Sequence, residues 1–395
     1  MAGSLIDELP KIMKNGKREA QKILDGLSKK NRITLQTNEL VLPSKDVSGL
    51  FRGKIKEITD NGWFNRLIYG DNLLAMQALL AGDDQTPSMR GKIDLIYIDP
   101  PFDSKADYRT KIHLPDVDIE QKPTIIEQFA YSDTWKNGTA SYLEMMIPRL
   151  ILMREFLSEQ GSIYVHIDWH VGHYLKIVMD EIFGRENFRN EIVWRRMAGV
   201  KGNVKEGFPH ITDIIFFYSK AGKIYFENPY KPLDPKYVKQ FYRYVDEEGR
   251  VYRKAGGGRP EHYKYYLDES KGTPISNLWD DITNVQGSSL ENYGFQTQKP
   301  EKLVKRMIEA SCPENGIVAD FFAGSGTTGA VAEKLKRKWI MAELGKPACM
   351  ITRKRLIDQD ANPFLYHSIG DYQKEQYEQS EFRTIRDLAH VIVNL

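Results

Sequence analysis

The stretch Ala319–Leu344, ADFFAGSGTTGAVAEKLKRKWIMAEL, decides how this chain is read. An apolar run ends on an acid, a glycine-rich turn comes next, then a helical pattern and a second apolar run. The turn holds a literal G-x-G-x-x-G (Gly324, Gly326, Gly329), and Glu343 lies 19 residues after Gly324 at the end of the next strand. Glycines let the backbone approach a bound nucleoside closely, and a carboxylate at the neighbouring strand end can accept bonds from ribose hydroxyls. Alone the glycine pattern is weak. Its place between strand and helix, with the acid after it, makes it specific. A P-loop is excluded, because no Lys-Ser/Thr comes after the glycines.

Only 66 residues come after Gly329, while about five strand candidates precede it. Upstream the texture alternates in the α/β manner. RLIYGD reads as a strand and NLLAMQALLAG as a helix. IDLIYID is a buried strand, and SYLEMMIPRLILMREFLSEQG a long helix stopped by Gly161. SIYVHID is a strand and VGHYLKIVMDEIFG a helix. NEIVWRR and DIIFFYSK read as paired strands at one sheet edge. Downstream, PEKLVKRMIEASC is helical and GIVADFF and KWIMAEL are strands. If the glycine loop sits on the central strand, the sheet is assembled in permuted order. Ligands of open α/β sheets bind at the carboxyl edge, so IDLIYID and the loop would meet there.

The end of that strand supports such a meeting. In Ile93–Tyr108, IDLIYIDPPFDSKADY, a buried run closes on Asp-Pro-Pro-Phe. Pro100 disfavours the helical region for Asp99 and holds the acid extended. Pro100 and Pro101 fix the turn, and Pro100 offers a carbonyl without an N–H. Two acceptors, the Asp99 carboxylate and that carbonyl, then face one small region whose complement is an –NH2 group. Phe102 adds a flat surface for a planar ring. An exocyclic amine on a stacked base satisfies all four residues.

Charge patterning adds a second clue. The whole chain carries a net charge of +2, but between Arg195 and Lys271 there are 16 Lys and Arg against 10 Asp and Glu. The same window holds 10 of the 21 tyrosines, interleaved as YVKQFYRYVDEEGRVYRKAGGGRPEHYKYY. Basic residues with aromatics suit a polyanion with stackable bases. A solvated, Tyr-rich surface insertion is the plainer alternative. Two cysteines, Cys312 and Cys349, are too few for a disulfide framework, which fits a cytoplasmic location. The start lacks the apolar block of a signal peptide, and the most apolar run, MMIPRLILM, is too short to span a bilayer. HIDWHVGH places His166, Asp168, His170 and His173 close together, a pattern open to reading as a metal site.

Taken together, LIYIDPPF and DFFAGSGTTG resemble the β class of amino-group DNA methyltransferases, with the target-base motif first and the cofactor loop last. LIYGDNL, YLEMMIPRLILMREFLSEQGSIYVHID and TQKPEKLVKRMI agree. The chain is most similar to the adenine-specific modification proteins of type III restriction systems, from about Trp63 to Asp371. The resemblance implies a permuted doubly wound, Rossmann-like methyltransferase sheet with an inserted target-recognition region. It implies S-adenosylmethionine as cofactor, lined by Asp320, Phe321, Gly324, Ser325, Gly326 and Thr327. Glu343 would hold its ribose, Asp71 with Asn72 would lie near its adenine, and Thr297 and Lys299 near its methionine end. Asp99, Pro100, Pro101 and Phe102 would hold the target base. Asp at the first position is similar to adenine-N6 enzymes, where Ser is more usual for cytosine-N4; Phe102 departs from the commoner Tyr and keeps the stacking face. Double-stranded DNA is the implied substrate, with a restriction subunit or a second copy of the chain as protein partners and no membrane.

The expected organisation is an N-terminal helical appendage (1–60), a catalytic half (61–195), a target-recognition insertion (196–290), a cofactor half (291–372) and a C-terminal segment (373–395). The final run, FRTIRDLAHVIVNL, reads as an exposed apolar edge of a longer protein. Other classes stay open: a catalytically silent recognition subunit, or a methyltransferase acting on cytosine N4, RNA or a protein glutamine. Cytosine-C5 chemistry would need a nucleophilic cysteine, and both cysteines read as core.

Overall fold

Strands buried on both faces appear in sequence as unbroken apolar runs, and their side chains alternate between two layers. In Ile93–Ile98, Ile96 and Ile98 join one buried cluster while Leu95 and Tyr97 join the other. Lys338–Glu343 divides the same way, with Ile340 and Ala342 on one side and Trp339 and Met341 on the other. The computed structural model describes residues 4–28, 32–43, 62–83, 86–101, 110–114, 117–121, 138–199, 207–254, 263–295 and 297–370. The expected C-terminal segment lies outside them.

The main sheet has ten strands: β1 (Gln36–Val41), β2 (Asn65–Tyr69), β3 (Ile93–Ile98), β4 (Leu157–Ile167), β5 (Phe188–Arg195), β6 (Thr212–Ser219), β7 (Leu278–Trp279), β8 (Ile317–Asp320), β9 (Lys338–Glu343) and β10 (Phe364–Ser368). Their spatial order is β1-β10-β2-β9-β8-β3-β4-β6-β5-β7. Only β1 and β6 run against the others within this sheet. The glycine-loop strand β8 is therefore central, flanked by β9 and by β3, which ends at Asp99. The permuted order is real.

Helices α1 (Leu5–Gly26), α2 (Asn72–Ala81), α3 (Thr139–Phe156) and α4 (Gly172–Phe183) cover one face. Beyond α5 (Pro235–Phe241), helices α6 (Glu301–Ser311), α7 (Thr327–Lys334) and α8 (Lys346–Asp358) cover the other. The two layers make the sheet doubly wound. Among the described residues, no helix is long and apolar enough to cross a membrane.

One boundary departs from expectation. The long helix stops at Phe156, and Leu157 already pairs with Ile93. Gly161 lies within β4, where a Cβ would sit 2.8 Å from the Ile93 carbonyl oxygen, and the β3–β4 register shifts nearby. The glycine marks an irregularity in a strand and close backbone approach, not a helix stop.

The basic, Tyr-rich segment forms its own small sheet from 244–245, 251–254 and 264–266. Arg250 lies over Tyr266 at 3.9 Å, Arg253 over Tyr265 at 4.4 Å, Lys264 over Tyr252 at 4.7 Å and Lys254 over Tyr244 at 4.8 Å. The interleaving seen in the sequence is thus partly internal, with cations resting on neighbouring rings.

Candidate active site

Five parallel strands, β2, β9, β8, β3 and β4, deliver acids to one edge: Asp71, Glu343, Asp320, Asp99 and Asp168. The antiparallel β6 contributes Asp213 from its start. Such a concentration of carboxylates requires compensation, and the compensating groups define the site.

Asp99 comes directly after Ile98 with its side chain 17% exposed. Its Oδ2 accepts a hydrogen bond from the Lys299 ammonium, which also approaches the Thr297 carbonyl at 3.4 Å. The other oxygen, Oδ1, is buried and accepts no hydrogen bond among the described residues. Behind it, His166 Nδ1 lies 4.0 Å away. Pro100 is buried and Pro101 half-buried, while Phe102 lies outside the described residues. Thr297 is exposed. Lys299, expected beside the cofactor, links the loop before α6 to Asp99.

The glycine loop is held from several directions. Asp320 is buried; its carboxylate accepts bonds from the Phe322 amide at 2.9 Å and the Thr328 hydroxyl at 2.5 Å. Burial nevertheless raises its pKa to about 7, with the charges of Asp99 and Glu343 pushing the same way. Phe321 is fully buried against Phe156, ring centres 5.2 Å apart, so its side chain belongs to the core. Its carbonyl accepts from Asn72 Nδ2 at 2.8 Å. Glu343 accepts from the amides of Gly324 at 2.7 Å and Gly345 at 2.8 Å.

Gly324 and Gly326 adopt φ of +52° and +71°, in the left-handed region. Gly326 starts α7, and a Cβ there would sit 2.4 Å from Thr352 Cγ2. Ser325 is buried with its hydroxyl 3.4 Å from that of Thr327, and Arg355 donates to the Thr327 hydroxyl at 2.9 Å. These two hydroxyls face each other and the supporting helices.

Asp71 caps α2, accepting from the amides of Leu73 at 2.8 Å and Leu74 at 3.2 Å. Its second oxygen pairs with Arg149 at 3.1 Å, and Arg149 also donates to Asn72 at 2.6 Å. Asp71 and Asn72 thus anchor the loop from the β2 side.

Sequence reasoning missed Arg149, Thr328, Phe295 and Asp213. Phe295 lies against Gly324, where a Cβ would be 3.3 Å from its ring. Thr328 adjoins Thr327, within the glycine motif; Arg149 and Phe295 carry no local signal. Two histidines of HIDWHVGH have protein partners. His166 is fully buried, 3.1 Å from the Tyr97 hydroxyl through Nδ1 and 3.3 Å from Asp213 through Nε2. His170 pairs with Asp168 and stacks on Trp169. Among the described residues, no three His, Cys, Asp or Glu side chains are grouped to hold a metal ion. Cys312 and Cys349 are buried and form no disulfide, and burial pushes the Cys312 thiol up to about 12, which leaves no thiolate nucleophile there.

The family model for DNA methylases of the N6/N4 kind matches residues 93–354. The type II methyltransferase M.EcaI of Enterobacter cloacae is 29% identical over 320 residues, 70% of this chain and 66% of that protein. The StyLTI Mod subunit, a type III restriction-modification enzyme of Salmonella typhimurium, is 27% identical, covering 67% of this chain and 49% of its own length. The matches thus span about half to two thirds of these curated relatives. Among solved structures, the cytosine-N4-specific PvuII DNA methyltransferase aligns over 75% of this chain and 90% of its own, with a TM-score of 0.44 and 17% identity.

Proposed function

Because the chain belongs to the N6/N4 DNA methylase family, we propose that it methylates the N6 amine of an adenine extruded from double-stranded DNA. The observation that carries this reading is the Asp99 carboxylate. One oxygen is held by Lys299, and the other is a buried acceptor without a donor among the described residues. A buried, unsatisfied carboxylate oxygen costs free energy until a donor arrives, and an amine proton supplies one.

S-adenosylmethionine, when bound, supplies a methyl group on a cationic sulfonium. The residues present fit it: buried Asp320 and Glu343 at adjacent strand ends offer carboxylates for an ammonium group and a ribose diol. Gly324 brings the loop backbone close without a side chain. On the neighbouring strand end, Asp99 and the Pro100 carbonyl take both amine protons and favour a more tetrahedral nitrogen with an available lone pair. Lys299 holds Asp99 in place for that contact. Alignment and fixed acceptors provide the rate, and no covalent enzyme intermediate is needed. Extruding the base costs a few kcal/mol, and stacking on Phe102, worth about 1–3 kcal/mol, offsets much of it.

Adenine is favoured over cytosine by Asp at the first position of Asp-Pro-Pro-Phe. Within the expected insertion 196–290, β6 and β7 belong to the main sheet, and the stretch between them is assigned to target recognition; a restriction subunit or second copy is assigned to partnership, and the cytoplasm to location. The test is mass spectrometry of nucleosides from DNA incubated with the purified chain and cofactor. N6-methyl-2′-deoxyadenosine is expected; N4-methyl-2′-deoxycytidine would transfer the same geometry to cytosine, and no product on any duplex would leave a recognition subunit.

A further inference from the structure

Methyl transfer leaves a proton to be disposed of. The N6 lone pair forms the new N–C bond, the electrons of the broken C–S bond stay on sulfur, and the nitrogen becomes cationic. One N–H pair must return to nitrogen as its proton departs. The first acceptor in reach is Asp99, whose second oxygen is already bound to the Lys299 ammonium. A proton left there would block the acceptor needed for the next amine.

We propose that His166, held by Asp213, takes this proton from Asp99 and so restores the site. The assignment rests on the reading of Asp99 as the acceptor of the target amine. His166 is the last residue but one of β4, directly beside the end of β3, since Val165 pairs with Ile98. Its Nδ1 stands 4.0 Å from Asp99 Oδ1, the oxygen that has no other donor among the described residues. That gap is longer than a hydrogen bond, as is common before substrate tightens a site. Asp213 faces Nε2 at 3.3 Å, so Nε2 donates to it and the lone pair lies on Nδ1, toward Asp99 and the Tyr97 hydroxyl. The hydroxyl turns from donor to acceptor as Nδ1 becomes protonated.

Charged and aromatic groups surround the imidazole. Asp99 and Tyr97 face the imidazole from β3, Asp213 from β6, and the Trp194 indole edge-on from β5 at 5.3 Å. Arg196 pairs with the far oxygen of Asp213 at 3.0 Å, and Lys299 approaches from the loop before α6. Asp213 supplies the compensating charge: burial pushes its carboxyl upward, but the bond to His166 and the charges of His166, Arg196 and Lys299 outweigh this and hold it below the usual range. His166 acts through Asp99 and is a positioning residue, not one that touches substrate.

His166→Gln should lower kcat by roughly 10²-fold with KM for DNA and cofactor unchanged. The acid limb of the wild-type pH–rate profile should vanish in this variant. Asp213→Asn keeps the imidazole but removes an anion, so the limb should move to lower pH by about one unit. A purely structural role would shift neither. As a readout independent of turnover, the nitrogen-15 resonances of the His166 imidazole in the free chain should place the proton on Nε2 and should change in Asp99→Asn. Should His166→Gln unfold, the Asp213→Asn profile and the resonance still decide. Unmoved acid limbs and an unmoved resonance would overturn the proposal. A wild-type chain that methylates no DNA would instead sink the amine reading beneath it.

Discussion

Asn72 donates its side-chain amide to the Phe321 carbonyl at 2.8 Å, tying the helix after β2 to a loop 249 residues further along the chain. Arg149 completes the tie by donating to Asn72 while pairing with Asp71. The glycine loop is thus braced from the side opposite to Lys299. Asn72→Ala should leave that carbonyl buried and unpartnered, costing about 1–3 kcal/mol. Denaturant unfolding should register the loss, and cofactor affinity should fall with it; unchanged stability would mean the brace is dispensable.

If Asp99 accepts the target amine as proposed, Asp99→Ala should reduce methyl transfer by at least about 10²–10³-fold. Cofactor affinity should stay within a few-fold, because the glycine loop keeps its own contacts. Rapid-quench kinetics beside calorimetric titration separates the two effects. Substantial turnover in the variant would reject the assignment.

Asp320 should make cofactor binding sensitive to pH. Its carboxyl sits at about 7 in the free chain. A cationic ligand beside it favours the carboxylate, so binding near pH 6 should release a proton and affinity should rise toward pH 7. Calorimetry in buffers of different ionisation enthalpy measures that release. The raised value also means the folded chain holds more protons than the unfolded one between the ordinary carboxylate range and 7, so stability should decline as pH rises through that window. Asp320→Asn should flatten both curves.

Gly329 packs α7 onto β9, where a Cβ would lie 2.2 Å from Met341 Cε. In an open helix Gly→Ala stabilises by about 1 kcal/mol. Here Gly329→Ala should instead destabilise by about 1–3 kcal/mol through overpacking. Adding Met341→Ala should recover part of the loss, as a double-mutant cycle would reveal; strict additivity would argue that the contact is slack.

Arg253 and Lys254 lie on rings of adjacent strands, yet a cation on a tyrosine can still face a phosphate. Their joint replacement by Ala should reduce the salt dependence of DNA binding by about two contacts. Cofactor affinity should not change. An unaltered slope would return this segment to the plain surface reading.

Much of the layered sheet could be read in advance, because β3, β8 and β9 are apolar runs closed by charged or glycine residues at fixed spacing. The permutation was also legible, from the position of Gly324 late in the chain. Gly161 misled, since a glycine after a helical pattern looks the same whether it ends the helix or relieves a strand contact. The capping by Asp71 is local and could be anticipated from the helix it precedes. The partnership of Lys299 with Asp99 could not, because 200 residues separate them and no period links the two. The place of His166 depends on which oxygen of which neighbouring strand it meets, a matter of register that no single segment encodes.

The order of the sheet also bears on how the molecule is born. β2 and β3 leave the ribosome early, yet they are never neighbours: β9 and β8 stand between them. Until those late strands are made, each early strand exposes an unpaired hydrogen-bonding edge, and the nascent sheet cannot close. The β8–α7–β9 unit must then insert into a prepared gap and join contacts distant along the chain, a slow step by topology. The same insertion sets the glycine loop beside Asp99. A chain interrupted before β8 would therefore be both sticky at its edges and without the loop that stands beside Asp99, so no unfinished copy could assemble this strand edge.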